Sequence, residues 1–214
     1  MTRLRLGGLL LLLALTYVLG EAWAAAGWEG RPYRWSVDAI SALGVPETQY
    51  WAGQESVSTR HAVMNATFIG SGVRALLAGV VLAPFVPLRG RWAVLPLVLA
   101  YSVGLVIVGS FPSATGGLRE TMHGIGAWLG VIGGGVLLLS IAITLARRHA
   151  VLATVTGVCA AIALGGGWLA VWRAPEHFGL YERIAVDAVI GWQVLTGAAL
   201  LMSRRRNSAA LRQG

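Results

Sequence analysis

Six long apolar segments constrain this chain more than any other feature of its sequence. They span about 6–26, 61–84, 93–110, 121–145, 150–172 and 183–202. Each is close to the roughly 20 residues that an α-helix needs to cross about 30 Å of hydrocarbon. Because backbone amides in lipid must be satisfied within a segment, each is predicted to be a transmembrane helix. The predicted fold class is all-α: a polytopic six-transmembrane-helix bundle, forming a single integral membrane domain over residues 1–214.

The overall composition agrees with the membrane class. Hydrophobic residues make up 56% of the chain and charged residues only 12%, against about 25% charged in soluble domains. Every basic residue is Arg, which indicates a GC-rich coding sequence and therefore a bacterial source. The net charge of +8 comes from arginines at the ends of apolar segments. This placement is typical of membrane topology, so no nucleic-acid partner is predicted.

The positions of the arginines predict the orientation of the bundle. One side carries arginines with few acidic residues: Arg3, Arg5, Arg89, Arg91, Arg147, Arg148, Arg204, Arg205, Arg206 and Arg212. On the other side, acidic residues dilute the positive charge. Since cytoplasmic loops carry the excess of Arg, both termini are predicted to be cytoplasmic and the loop 27–60 extracytoplasmic. The predicted localisation is the plasma (inner) membrane, as a multipass protein.

The N-terminal 26 residues admit a second interpretation. They combine a basic start, an apolar stretch and the small residues Ala24, Ala25 and Ala26, a pattern typical of cleavable signal peptides. Cleavage would remove the first helix and leave the orientation of the others unchanged. Within the following loop, the spacing of Trp35, Ile40 and Leu43 predicts a short amphipathic helix on the outer interface, which ends at Gly44 and Pro46.

His123 begins a row of small residues in the fourth apolar segment. Gly126, Gly130 and Gly134 follow it at positions that share one helical face. Such a row lets a neighbouring helix approach closely. His123 is therefore predicted to point into the bundle near its outer end.

Polar residues of both charge signs concentrate at the outer ends of the predicted helices. The candidate binding residues are Asp38, Ser41, His61, Asn65, His123, Glu182, Arg183 and Asp187. Arg183 and Asp187 are four residues apart and are predicted to pair. Carboxylates at membrane depth are costly and tend to be functional. No catalytic residue is assigned; the two histidines with Asp38 are a weak metal signature, and no cofactor is predicted.

Two polar residues lie deeper in the predicted membrane. Arg74 is about 20 Å below His61 along the same helix, and no acidic residue is predicted near it. Arg74 either extends to inner-leaflet phosphates or bonds to carbonyls and to Tyr101 or Ser102. Gln193 is predicted to make an interhelical hydrogen bond.

Four motifs in order resemble the membrane family called domain of unknown function 998. They are "SVDAISALG", "MNATFIGSGV", "GSFPSATGGLRETMHGIGAW" and "GLYERIAV", and the resemblance covers about residues 10–200. The matching positions are Ser41, Leu43, Gly44, Asn65, Phe111, Pro112, His123, Glu182 and Arg183. Ser113 and Ala114 stand where the family has an acidic residue. The resemblance implies the fold and a shared site, and it implies no reaction.

Several functions remain open from the sequence. The first is an outer-leaflet polar pocket that binds a lipid or other amphiphile. The alternatives are a membrane hydrolase that uses the His/Asp/Glu cluster, a transporter or accessory subunit, a haem protein ligated by His61 and His123, and a purely structural polar network. The expected partners are membrane lipid and either a membrane protein or a second copy of the chain. Soluble-enzyme motifs such as the P-loop, G-x-S-x-G and H-E-x-x-H are absent from the sequence.

Overall fold

The computed structural model describes residues 2–113, 116–172 and 176–210, and the side chains of 203–210 are outside the description. Ala114, Arg212 and the side chains of the tail arginines 204–206 therefore lie outside the described residues.

Six helical spans form the bundle, which confirms the predicted fold class. The first span consists of two helices, and each of the other five is continuous. The helices are α1 (Arg3–Leu12), α2 (Leu15–Ala25), α3 (His61–Leu82), α4 (Leu88–Ser110), α5 (Gly117–Leu145), α6 (Ala150–Trp172) and α7 (Phe178–Ala210). By length and hydropathy each span is able to cross a membrane. From α3 onward each helix packs against the next, and α1 packs against α7 and α3, so the first and last spans lie side by side.

The first span is broken in its middle, where the sequence predicts a continuous helix. The backbone N–H of Ala14 donates to Leu11 O at 3.0 Å instead of to Leu10 O. This tighter turn frees the carbonyl of Leu10 from the helical ladder. Arg74 of α3 donates to that carbonyl at 2.9 Å, so a side chain of another span supplies the missing partner.

Residues 27–60, called the cap from here on, contain a small antiparallel sheet that the sequence analysis does not predict. Its strands are β1 (Trp28–Gly30), β2 (Gln49–Trp51) and β3 (Gln54–Ser58), in the order β1-β3-β2. Ala52 and Gly53 join β2 to β3 with φ values of 49° and 77°. A two-residue turn with both φ angles positive matches the right-handed twist of paired strands.

The short amphipathic helix predicted in the cap is confirmed only in part, because the helix ends at Gly44 as predicted but is of the 3-10 type and begins at Ile40. A turn precedes this short 3-10 helix, Ile40–Gly44. The burial pattern is correct for Ile40 and Leu43, which are 1% and 0% exposed. The backbone of this segment bonds to side chains of α3, α7 and β3. These tertiary hydrogen bonds replace the regular helical ladder that the periodicity indicates.

The glycine row that follows His123 faces the bundle, as predicted. A Cβ atom at Gly126 would lie 2.9 Å from both Gly104 O and Val108 N of α4, and one at Gly134 would contact Tyr101. Position 126 has no room for a side chain, because the backbones of α4 and α5 come into close contact there. This close crossing orients the first turns of α5, including His123, toward the interior.

Candidate functional site

A buried ion pair joins the first and last spans beneath the cap. The Nε of Arg183 on α7 donates to Oε1 of Glu21 on α2 at 2.9 Å, and the two side chains are 11% and 7% exposed. The Nη2 donates to the hydroxyl of Tyr33 at 2.5 Å. The Nη1 donates to the backbone carbonyls of Trp35, Asp38 and Gly179. Arg183 thus holds two spans and the cap in one arrangement.

Two aromatic rings of the cap enclose the guanidinium of Arg183. Its central carbon lies 5.5 Å from the ring centroid of Tyr33 and 4.9 Å from that of Trp35, within the range of cation–π attraction. Burial raises the pKa of Tyr33 well above its usual value. The protonated hydroxyl accepts from Arg183 and donates to Ala39 O at 3.0 Å.

The predicted ion pair between Arg183 and Asp187 is not formed among the described residues. Arg183 bonds to Glu21 instead, because α2 places that carboxylate against the guanidinium. Asp187 lies exposed on α7. Glu21 was missed in the sequence analysis, although it is the only acidic residue in the first apolar segment. A lone carboxylate at membrane depth is the signal that identifies it.

Asp38 is bound within the cap itself. Its two carboxylate oxygens accept from Nη1 and Nη2 of Arg31, each at 2.6 Å, and from the backbone N–H of Arg34 at 2.7 Å. Burial acts to raise the pKa of Asp38, but the hydrogen bonds from Arg31 and Arg34 outweigh it and hold the pKa below the usual value. With both oxygens occupied, Asp38 has little capacity left for a ligand.

Glu182 and Asn65 fasten the 3-10 helix of the cap to the bundle. Oε2 of Glu182 accepts from the backbone N–H of Ile40 at 2.7 Å. The side-chain amide of Asn65 donates to Gly44 O at 2.9 Å, and the hydroxyl of Ser58 donates to Leu43 O at 2.6 Å. These bonds explain why polar residues of the family motifs stand at the starts of α3 and α7.

A small cavity, called the polar cavity, lies beneath the cap. His123, Glu182, Ser41 and Tyr17 contribute to its wall, together with apolar residues of α3 to α5 and α7, and its volume is about 30 Å³. This is room for one or two water molecules. The Tyr17 side chain is 2% exposed, and its hydroxyl has no hydrogen-bond partner among the described residues.

The Phe-Pro motif orients His123 in this cavity. Nδ1 of His123 lies 2.9 Å from the carbonyl oxygen of Phe111. Because a carbonyl only accepts, Nδ1 carries the hydrogen, and Nε2 is the acceptor when the ring is neutral. The motif residues Phe111 and His123, twelve positions apart, thus meet at the rim between α4 and α5.

The predicted site residues fall into separate groups. Ser41, His123 and Glu182 line the polar cavity, whereas Asn65, Arg183 and Asp38 make the contacts that hold the cap. His61 and Asp187 do not line this cavity. Within the described parts of the chain, no three His, Cys, Asp or Glu side chains lie close enough together to hold a metal ion. The hypothesis of a metal bound by His61, His123 and Asp38 therefore finds no supporting geometry.

A larger cavity, called the central cavity, lies toward the end of the bundle opposite the cap. Its volume is about 210 Å³, and its wall comes from α1 and from α3 to α7. Aliphatic side chains form most of this wall, for example Leu11, Leu82, Val94, Val98 and Leu137. Tyr101 lines both the central and the polar cavity, so the two cavities are neighbours.

Arg74 and Gln193 meet beside the central cavity. Nη2 of Arg74 donates to Oε1 of Gln193 at 2.7 Å, which confirms an interhelical hydrogen bond for Gln193. The second contact of Arg74 is the carbonyl of Leu10. Arg74 is 7% exposed and does not extend to the membrane surface. Of the two predictions for Arg74, bonding to a carbonyl is therefore correct, but Gln193 takes the place predicted for Tyr101 or Ser102.

The six spans and the cap define a polytopic membrane protein with an enclosed polar network. A family model described as protein of unknown function, DUF998, matches residues 8–199. The chain therefore belongs to the DUF998 family. Comparison with curated proteins and with solved structures finds no match.

Proposed function

We propose that this protein binds a membrane amphiphile whose apolar chain occupies the central cavity. The observation that carries the proposal is the size and lining of that cavity, about 210 Å³ with a mostly aliphatic wall. An apolar cavity of about 150 Å³ stays free of water and binds an apolar guest such as benzene. The chain of a membrane amphiphile is an apolar guest of the same kind.

The sizes of the two cavities favour this position over the outer polar cluster. The polar cavity holds about 30 Å³, too little for any lipid group larger than a few atoms. Glu182 and Arg183 are already bonded to the cap or to Glu21. For the hydrolase alternative, His123 and Glu182 share a wall with room for water, but a substrate would need the cap to move away.

A larger side chain in the wall of the central cavity is expected to exclude the chain of the amphiphile. Ala78 of α3 lines the cavity and is 2% exposed. We expect Ala78→Phe to lower the binding of a twelve-carbon chain about tenfold, because the added ring occupies the site of the chain. The measurement is equilibrium binding of radiolabelled dodecanol and of radiolabelled dodecanoate to protein purified in digitonin, a detergent with a rigid steroid body.

Ala66→Phe is the matched control, since Ala66 lies on the same helix and is exposed on the surface of the bundle. It should bind both probes as the wild type does. Binding that is equal in all three proteins would place the chain outside the cavity, and no saturable binding of either probe would contradict the proposed function.

We also propose that the cap is extracytoplasmic and that both termini are cytoplasmic, in the plasma membrane. The support is the position of Arg5, Arg89, Arg147 and Arg148 at the end opposite the cap. In a Cys159→Ser background, Gln54→Cys in the cap should react with a membrane-impermeant maleimide on intact cells. Arg148→Cys should react only after lysis, and the reverse pattern would contradict this orientation.

A further inference from the structure

Arg74 is a buried cation with no acidic partner. It forms no ion pair with any carboxylate among the described residues. Within the described part of the chain, its hydrogen-bond acceptors are the neutral oxygens of Leu10 and Gln193, and its Nε finds no partner there. An uncompensated charge at membrane depth is costly and indicates a functional site.

Two features of the fold hold Arg74 at this depth, the break in the first span and the side chain of Gln193. The break between α1 and α2 frees the carbonyl of Leu10, which accepts from Nη1. Gln193 of α7 accepts from Nη2. Three spans thus meet at one guanidinium. Broken helices in membrane proteins commonly expose polar backbone where a ligand or ion binds.

Gln193 and Tyr101 connect this charge to the central cavity. Both side chains line the cavity, and both lie close to Arg74 or to each other. The oxygen of the Gln193 amide faces Arg74, so its NH₂ group is directed away from the guanidinium. One hydrogen of this NH₂ group is used in a side-chain hydrogen bond to Tyr101. Its second hydrogen and the Tyr101 hydroxyl hydrogen remain as donors beside the positive charge. In a surrounding of low dielectric such a charge acts strongly on a nearby anion.

We infer that the amphiphile of the central cavity carries a carboxylate, as in an unesterified fatty acid, which accepts from Tyr101 and Gln193 and compensates the charge of Arg74. This inference rests on the proposed function and names the class of ligand. The aliphatic wall accommodates the chain, and the carboxylate lies at the part of the wall where Tyr101 and Gln193 place donors beside the charge of Arg74. A charged acceptor forms stronger hydrogen bonds than a neutral one.

The test compares dodecanoate with dodecanol, which has the same chain length and a neutral head group. Unlabelled dodecanoate should displace radiolabelled dodecanoate from the wild type in digitonin at pH 8 at least about tenfold better than dodecanol does. Arg74→Gln should remove this preference, bringing the ratio of the dodecanoate and dodecanol affinities close to one. Arg74→Lys, which keeps the charge, should keep part of the preference.

Tyr101→Phe serves as a second variant because it retains the ring and removes only the hydroxyl. It should lower the ratio of the dodecanoate affinity to the dodecanol affinity about tenfold, and this result stands even if Arg74→Gln fails to fold. If the wild type binds both probes equally and Ala78→Phe blocks this binding, the inference of a carboxylate ligand is overturned. The proposed function would then still stand. A preference for dodecanoate that survives in both Arg74→Gln and Tyr101→Phe would show that Arg74 only clamps the broken span. Absence of binding by either probe would overturn both proposals.

Discussion

Arg183→Gln is expected to lower the free energy of unfolding by about 3–5 kcal/mol. The substitution leaves Glu21 buried without its cation and removes the donors to the cap carbonyls and to Tyr33. Glu21→Gln should cost a comparable amount, because it leaves Arg183 buried without its anion. The measurement is reversible unfolding of the purified protein in mixed micelles, followed by circular dichroism.

The double variant Glu21→Gln with Arg183→Gln separates pairing from other effects. It should lose clearly less than the sum of the two single losses, since neither partner is then left as an isolated buried charge. The matched control is Arg119→Gln. Arg119 pairs with Glu47 at 2.5 Å, but these side chains are 34% and 56% exposed, so the loss should be about 0.2–1 kcal/mol. Additive losses at Glu21 and Arg183 would mean that the ion pair does not couple the spans.

Gly126→Ala is expected to destabilise the protein by about 3 kcal/mol. The new methyl group would lie 2.9 Å from two backbone atoms of α4. Backbone atoms cannot rotate away as a side chain does, so α4 and α5 must separate. The same unfolding assay measures the loss.

Gly133→Ala on the same helix provides the comparison. A Cβ atom there would have no heavy atom within 4 Å, so the change should be neutral or slightly stabilising, because Ala is the better helix former. An equal loss at Gly126 and Gly133 would contradict the role of the close helix crossing. The comparison also checks the arrangement that orients His123 toward the polar cavity.

The spans were predictable because hydropathy and helical periodicity are properties of contiguous residues. The glycine row after His123 predicted the correct face of α5 for the same reason. The break in the first span was not predictable from local signals, since Leu13 and Ala14 are ordinary helix formers. It depends on Arg74, which lies on another span and bonds to Leu10.

The candidate site was predictable only in part. Glu182, Arg183, His123 and Asn65 are marked by their polarity at the ends of apolar segments, and the structure gives each of them a contact at the cap end. Their partners were assigned wrongly or not at all, because helical spacing reports only neighbours on one helix. The partner of Arg183 is separated from it by 162 positions in the chain.

The sequence by itself determined the membrane class and the six spans, and it marked Arg74, Glu182 and Arg183 but not Glu21 as charges at membrane depth. The spans follow from the solvation of contiguous side chains in lipid. Only the tertiary structure decided that Arg183 pairs with Glu21, that the cap contains a sheet, and that Tyr101 lines two neighbouring cavities. A cavity is the space left where helices distant in sequence fail to fill one another's grooves. Its size and lining therefore depend on the packing of all the spans together.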